Sequence, residues 1–330
     1  MPIISSPHEF NVEDLYIDLR KVNDTPLYLK CEGFNFAGSI KMKAAAEMVD
    51  AAERDGLIHP DSILVESSSG NLGIALAIIA ADRGYRFVCV TDPRCNSTTQ
   101  RLIQSLGAEV RVISKQDANL GYLHSRIQYV RDLCDSSDRY VWLNQYANPN
   151  NWRAHYEHTA PAIARTFPDL EVLFVGAGTT GTLMGCARFF KDHRKPVTIV
   201  AVDAVGSVTF GGIPERRVVP GLGTSTRPEL VDESCIDDVV HVSETDTIGV
   251  CHALAAKGFV LGGSTGTVVS GAARWLGEKY PGEDPVAVAI SPDLGERYLA
   301  SIYDEGWLRE HFGPDSPSST PSPTLWSAHP

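Results

Sequence analysis

The stretch Val172-Leu173-Phe174-Val175-Gly176-Ala177-Gly178-Thr179-Thr180-Gly181-Thr182 decides the fold. Its apolar start reads as a short strand covered on both faces, its glycines as a tight turn, and Gly181–His193 as a helix. Strand, glycine turn and helix in that order make an α/β unit, and the first N–H groups of such a helix face an anion. Two ligands fit the turn. As Gly-x-Gly-x-x-Gly with Asp203 following 22 residues after Gly181, it could hold a dinucleotide, the acid meeting a ribose. As a cup lined by the hydroxyls of Thr179, Thr180 and Thr182, it could hold one phosphate of a smaller cofactor. A plain strand–helix turn is the third reading.

The same alternation runs along the chain. Strands are expected at Ile63–Val65, Phe87–Val90, Val110–Ile113, Tyr140–Leu143, Val172–Val175, Ile199–Val202, Val239–Val242 and Val286–Ile290. Helices are expected at Ser39–Arg54, Asn71–Arg83, Thr98–Leu106, Gly121–Leu133, Asn151–Phe167, Gly181–His193, Asp246–Lys257 and Thr265–Lys279. Eight strands exceed one short α/β unit, so two doubly wound α/β domains are expected. The glycine- and proline-rich segment Gly206–Pro228 reads as a long functional loop, and the Pro/Ser-rich residues 313–330 as a mobile tail.

The composition bounds the function. A chain of 330 residues with 43% hydrophobic and 21% charged residues is ordinary for a globular protein. A net charge of −12 argues against nucleic acid or an anionic membrane as partner. An anionic substrate would then need positive potential built locally. Seven cysteines without Cys-x-x-Cys spacing fit reduced thiols. No secretory leader or membrane span is read, so the cytoplasm is the expected location.

Three further segments carry chemistry. Gly38-Ser39-Ile40-Lys41 puts a lysine at the mouth of a helix, where it could form a Schiff base with an aldehyde cofactor. Ser67-Ser68-Ser69-Gly70-Asn71 follows a strand and opens a helix; it suits a carboxylate or is a polar cap. Leu261-Gly262-Gly263-Ser264-Thr265-Gly266 also precedes a helix, with Ser264 either an N-cap or a partner for a ring nitrogen. His155 and His158, with Glu157 between them, offer one edge of a metal site but no third ligand, and no metal is expected.

Together these pieces resemble the cysteine synthase family of pyridoxal-phosphate β-replacement enzymes. The resemblance rests on Thr25-Pro26-Leu27, Gly38-Ser39-Ile40-Lys41, Ser69-Gly70-Asn71, Gly178-Thr179-Thr180-Gly181-Thr182, Gly262-Gly263-Ser264-Thr265-Gly266 and Pro292-Asp293-Leu294-Gly295-Glu296-Arg297-Tyr298-Leu299. Within it, Glu66–Ala77, Asn144-Gln145-Tyr146-Ala147-Asn148 with Asn151-Trp152, and Ala201–Val208 resemble the N-(2-amino-2-carboxyethyl)-L-glutamate synthases of 2,3-diaminopropionate biosynthesis. Those enzymes join O-phospho-L-serine and L-glutamate through an α-aminoacrylate, on the way to siderophores and peptide antibiotics.

The resemblance implies a tryptophan synthase β-like fold (fold type II), a homodimer and pyridoxal 5′-phosphate as cofactor. It also implies a smaller domain of residues 42–150 and a larger one of residues 1–41 and 151–312. Lys41 matches the Schiff-base lysine, Asn71 the ligand of the phenolic oxygen, and Gly178, Thr179, Thr180, Gly181 and Thr182 the phosphate cup. Ser264 matches the ring-nitrogen partner, and Ser68, Ser69 and Gln145 the grip on the substrate carboxylate. Many members follow the lysine with Asp-Arg; Met42-Lys43 stands here, which makes Lys43 a rival. A phosphorylated substrate needs its own cation, and Arg126 with Tyr146 and Thr179 is the expected set. His124 is a weaker candidate, and Arg216, Arg217 or Arg227 could meet a glutamate carboxylate. The alternatives are thiol-using cysteine or cystathionine synthesis, or a nicotinamide oxidoreductase built on Gly176, Gly178, Gly181 and Asp203.

Overall fold

The computed structural model describes residues 3–68, 70–116 and 121–313. Ser69 and the expected tail from residue 314 onward lie outside the described residues. In chain order the strands are β1 (Tyr16–Asp18), β2 (Tyr28–Cys31), β3 (Ile63–Ser67), β4 (Arg86–Thr91), β5 (Glu109–Val112), β6 (Tyr140–Trp142), β7 (Val172–Gly176), β8 (Thr198–Ala204), β9 (Asp238–Val242) and β10 (Ala287–Ser291). They form a six-stranded sheet in the order β1-β2-β10-β7-β8-β9 and a four-stranded sheet in the order β5-β4-β3-β6. Every pairing is parallel except β1 with β2.

Unbroken apolar runs explain why the sheets lie inside. Every residue of β3 and of β10 is buried, as in parallel strands covered on both faces. Leu64 in β3 is fully buried in one apolar cluster with Met48, Ile74 and Ile79, so truncation to alanine should cost about 3 kcal/mol. The larger sheet has an apolar cluster on each face, one around Phe174, Val202 and Trp275 and one around Val175, Ile199 and Phe190.

The eight expected strands are present, and two more precede them. β2 escapes an apolar pattern because Lys30 sits in its middle, wholly buried and paired with Glu32 at 3.1 Å. The expected helix over 151–167 is divided: Pro149–Ala154, a wider π-type turn at His155–Thr159, and Ala160–Thr166. Pro161 has no N–H to continue the ordinary ladder, and the N–H of Ala160 reaches back to His155 O instead.

In each sheet the strand order reverses direction, beside β3 in the smaller and between β7 and β10 in the larger. Loops leaving the carboxyl ends of strands at such points form a crevice. Here the described residues of those loops are Ser68 and Gly70 after β3, 177–180 after β7 and 292–295 after β10.

Candidate active site

Lys41 opens the helix Lys41–Arg54 and lines the crevice. The approach is fixed by backbone. Gly38 has φ +60°, which favours glycine, and a Cβ there would come within 2.6 Å of the Arg297 guanidinium, which would have to move. The N–H of Ile40 donates to Pro292 O at 2.8 Å, which ties the helix start to the segment after β10. Desolvation by burial pulls the Lys41 ammonium down to about 8, while the Asp293 carboxylate works in the opposite direction. An amine in that range can take and return a proton near neutral pH. Lys43 has different surroundings. It is buried, paired with Glu32 at 2.9 Å and Glu13 at 3.4 Å, and it lines neither of the two cavities of the crevice.

The loop after β7 forms the floor. Thr180 holds φ +65°, rare for a threonine, just before the helix that begins at Gly181. Its hydroxyl is buried without a hydrogen-bond partner among the described residues. Gly181 is obligatory because a Cβ would meet Asn151 Oδ1 at 2.1 Å, and at Gly178 one would meet Gly221 O at 3.0 Å. A helix N-terminus with an unpaired buried hydroxyl fits a phosphate. Lys41, Gly178, Thr179, Thr180, Gly181, Thr182 and Ser264 line one small cavity, where pyridoxal phosphate would sit with Lys41 as its covalent anchor.

Asp293 organises the opposite wall. It is 1% exposed and accepts from Ser264 Oγ (2.6 Å), Asn71 Nδ2 (2.8 Å) and the hydroxyl of Tyr298. Ser264 therefore spends its proton on a carboxylate and faces the cavity as an acceptor; it is not the N-cap offered as one reading of the sequence, since Gly262 holds that position. Asn71 Oδ1 accepts from Arg297 Nη1, so both polar ends of Asn71 already have protein partners. Ser68 Oγ accepts the N–H groups of Gly70 (3.3 Å) and Gly73 (2.9 Å), which makes it a cap for the helix Asn71–Arg83. Gln145 Nε2 donates to Ser67 O at 2.8 Å and keeps the amide beside that cap.

Above the floor lies a cavity of about 250 Å³. Arg126, Tyr146, Thr179, Arg216 and Arg217 line it together with Lys41, Ser68 and Gln145. Arg126 is buried; its Nε lies 3.3 Å from Asp92 Oδ2, yet neither Nε nor Nη1 makes an aligned hydrogen bond among the described residues. Glu66 beneath them is pushed up to about 7 by burial, against donors from Trp142, Ser67 and Gln145. Burial also raises Tyr146, with Arg126 opposing. This is a cationic chamber inside an anionic protein, as the charge argument requires.

Other candidates stand elsewhere. Arg227 pairs with Glu233 at 2.7 Å and does not line the chamber. His124 is exposed and outside it. Arg217 lines it but donates to Gly206 O (2.6 Å) and Thr224 O (3.3 Å), holding the long loop shut on itself. Asp203 is wholly buried and accepts from the N–H of Ala204 at 2.8 Å, so it is not placed to meet a ribose beside the glycine loop. His158 is exposed while His155 is buried, and among the described residues no group of three or more metal-binding side chains converges.

Sequence reading passed over two important residues. Asp293 lies inside a quoted motif, but its partners Asn71 and Ser264 are distant in sequence. Asn151 joins the two halves of the floor, its Nδ2 donating to Gln145 O (2.7 Å) and Thr179 Oγ1 (3.1 Å). Asn151 too lies inside a quoted motif, Asn151-Trp152, which was the available signal for it.

Residues 16–292 match the family described as pyridoxal-phosphate dependent enzyme, and the chain belongs to that family. Among curated relatives, an N-(2-amino-2-carboxyethyl)-L-glutamate synthase of Ralstonia nicotianae is 40% identical over 285 residues, 86% of this chain and 83% of that protein. One of the same name from Cupriavidus metallidurans is 38% identical, covering 86% of this chain and 84% of its own. Among solved structures, an O-acetylserine dependent cystathionine beta-synthase from Helicobacter pylori superposes with a TM-score of 0.84 at 26% identity, over 92% of this chain and 100% of that one. An O-ureido-L-serine synthase does so at 0.79 and 31%, over 92% and 96%. Among the described residues no helix is long and apolar enough to cross a membrane.

Proposed function

We propose that this chain condenses O-phospho-L-serine with L-glutamate to N-(2-amino-2-carboxyethyl)-L-glutamate and phosphate, a β-replacement on the route to 2,3-diaminopropionate. The observation that carries it is the pairing of a desolvated lysine with two separate anion-binding regions on one crevice. The named relatives at about 40% identity support the same product.

Bound pyridoxal phosphate supplies an electron sink for the pair left at the substrate Cα. Gly178 to Thr182 would hold its phosphate, and Asn71 and Ser264 would be the partners of its ring. Lys41 Nζ would take the proton from Cα and return it at the end; the desolvation that lowers its pKa in the cofactor-free protein favours a free amine at this position. Ser68 and Gln145, with the N–H groups at the start of the helix Asn71–Arg83, orient the substrate carboxylate. Arg126, with Tyr146 and Thr179, takes the phosphate of phosphoserine, because a guanidinium offers two parallel charge-assisted bonds. Phosphate then departs from Cβ without needing a strong acid. Arg216 lines the same chamber and is a cation available to a glutamate carboxylate.

The reading extends to a smaller domain of residues 42–150 and a larger one of residues 1–41 and 151–312, a homodimer, a cytoplasmic location and a product used in siderophore or antibiotic assembly. Mass spectrometry decides the reaction. Phosphoserine plus glutamate should give N-(2-amino-2-carboxyethyl)-L-glutamate and one phosphate per turnover. If only phosphoserine plus sulfide reacts, giving cysteine, the thiol alternative replaces it. A purified protein that is not yellow and is unchanged by borohydride removes both.

A further inference from the structure

The wide turn at His155–Thr159 stands between a buried ion cluster and the first turn of the helix that follows the phosphate loop. Lys43 Nζ pairs with Glu32 Oε2 at 2.9 Å, and Glu32 Oε1 also pairs with Lys30 Nζ at 3.1 Å. Lys43 Nζ donates to Thr159 Oγ1 at 3.4 Å. Thr159 Oγ1 meets His155 Nδ1 at 3.1 Å, and His155 Nε2 meets Thr182 Oγ1 at 3.2 Å. Glu32, Lys43, His155 and Thr159 are all buried.

The direction of each bond follows from what each group can do. An ammonium only donates, so Thr159 Oγ1 accepts from it. The hydroxyl proton of Thr159 then has one partner among the described residues, His155 Nδ1. Desolvation holds His155 far below its ordinary pKa, so the ring is neutral and carries a single N–H. With Nδ1 accepting, that N–H is on Nε2 and donates to Thr182 Oγ1. The proton of Thr182 is left for the cavity. We propose that Lys43, acting through Thr159 and His155, fixes Thr182 as a hydrogen-bond donor to the cofactor's phosphate. Lys43 is thus a positioning residue, and the inference rests on the assignment of residues 178–182 to that phosphate. It gives the buried ions a task beyond stability, which apolar side chains of similar volume could supply.

The test uses the full chain freed of cofactor, titrated with pyridoxal phosphate and with 5′-deoxypyridoxal, which has the same ring and no phosphate. Lys43→Met leaves Lys30 to balance Glu32, and Thr159→Val removes the hydroxyl without touching the ions, covering the case in which Lys43→Met does not fold. Each should weaken pyridoxal phosphate about tenfold and change 5′-deoxypyridoxal by no more than about twofold. Equal losses for both ligands would reduce the relay to a structural role and overturn the proposal. ¹⁵N spectra of His155 should show a bare Nδ1 and a protonated Nε2; the opposite tautomer overturns it as well. Thr182→Val separates the two readings. If it leaves the preference for the phosphorylated ligand intact, the cup assignment fails; if it lowers that preference while the Lys43 and Thr159 variants do not, the relay alone fails.

Discussion

Lys41 and Lys43 stand about 200° apart around the same helix, one towards the crevice and the other into the protein. The first is half-buried at the crevice, where desolvation lowers its pKa and the Asp293 carboxylate acts to keep it charged. The second sits against Glu32, Glu13 and a threonine hydroxyl. The difference teaches that neither residue type nor helix position makes a reactive amine. Surroundings do, by deciding whether the proton is held or can leave.

The largest expected effect breaks the pair apart. Lys41→Ala should lower turnover about a thousandfold or more and prevent borohydride from fixing cofactor to the protein. Lys43→Ala should keep that covalent attachment, read by mass spectrometry of the reduced, digested protein. A cofactor mass on a peptide that retains Lys43 in the Lys41→Ala variant would reverse the assignment.

Stability should show the opposite ranking. Glu32→Ala leaves Lys30 and Lys43 buried without their shared counter-charge and should cost about 3 to 5 kcal/mol in denaturant unfolding of the cofactor-free protein. Lys41→Ala deletes a desolvated ammonium and should leave unfolding nearly unchanged or strengthen it. Equal losses in both would mean that the two faces of the helix are not distinct.

A third cation sharpens the contrast. Arg126 is buried and ion-paired like Lys43, with Asp92 at 3.3 Å, but its Nε and Nη1 make no hydrogen bond among the described residues. That combination suits a ligand rather than a protein partner. Arg126→Ala should cost about 2 kcal/mol, or roughly thirtyfold, in kcat/KM for phosphoserine. O-acetylserine, which carries no phosphate, should lose far less. Equal losses for both donors would take Arg126 out of the substrate site.

How much of this was legible depends on the range over which the physics acts. β3, β7 and β10 announce themselves because a strand buried on both faces must be apolar along its length. The glycines at 38, 178 and 181 are legible as turns, although the atoms that a side chain there would meet belong to Arg297, Gly221 and Asn151. Glu32 and Lys30 carried no reading and Lys43 was read only as a rival for the Schiff base, since nothing local says that a fold will enclose all three. Asp293 was likewise silent: a carboxylate's role is set by who donates to it, and Asn71 comes from the far side of the crevice. The widened turn at His155–Thr159 had one clue, Pro161, which removes an N–H but does not by itself choose between a kink and a wider turn.

The smallest expected effect tests the cause assigned to Lys41. Burial lowers its pKa and the Asp293 carboxylate raises it, so the value of about 8 is a balance. Asp293→Asn keeps the shape and removes the raising charge. The midpoint of Lys41 should therefore move down, by less than about one pH unit, since a carboxylate beside a partly open cavity is screened by water. Competitive acetylation of the cofactor-free protein, with the Lys41 peptide quantified across pH 6 to 10, reads that midpoint in the state to which it applies. Lysine bears its charge below its pKa, so a downward move means more free amine at neutral pH and faster labelling at pH 7. A midpoint that rises in Asp293→Asn would mean that the carboxylate's partners, Ser264, Asn71 and Tyr298, shape the lysine through packing rather than through charge. The contrast between the two lysines would then need a steric cause.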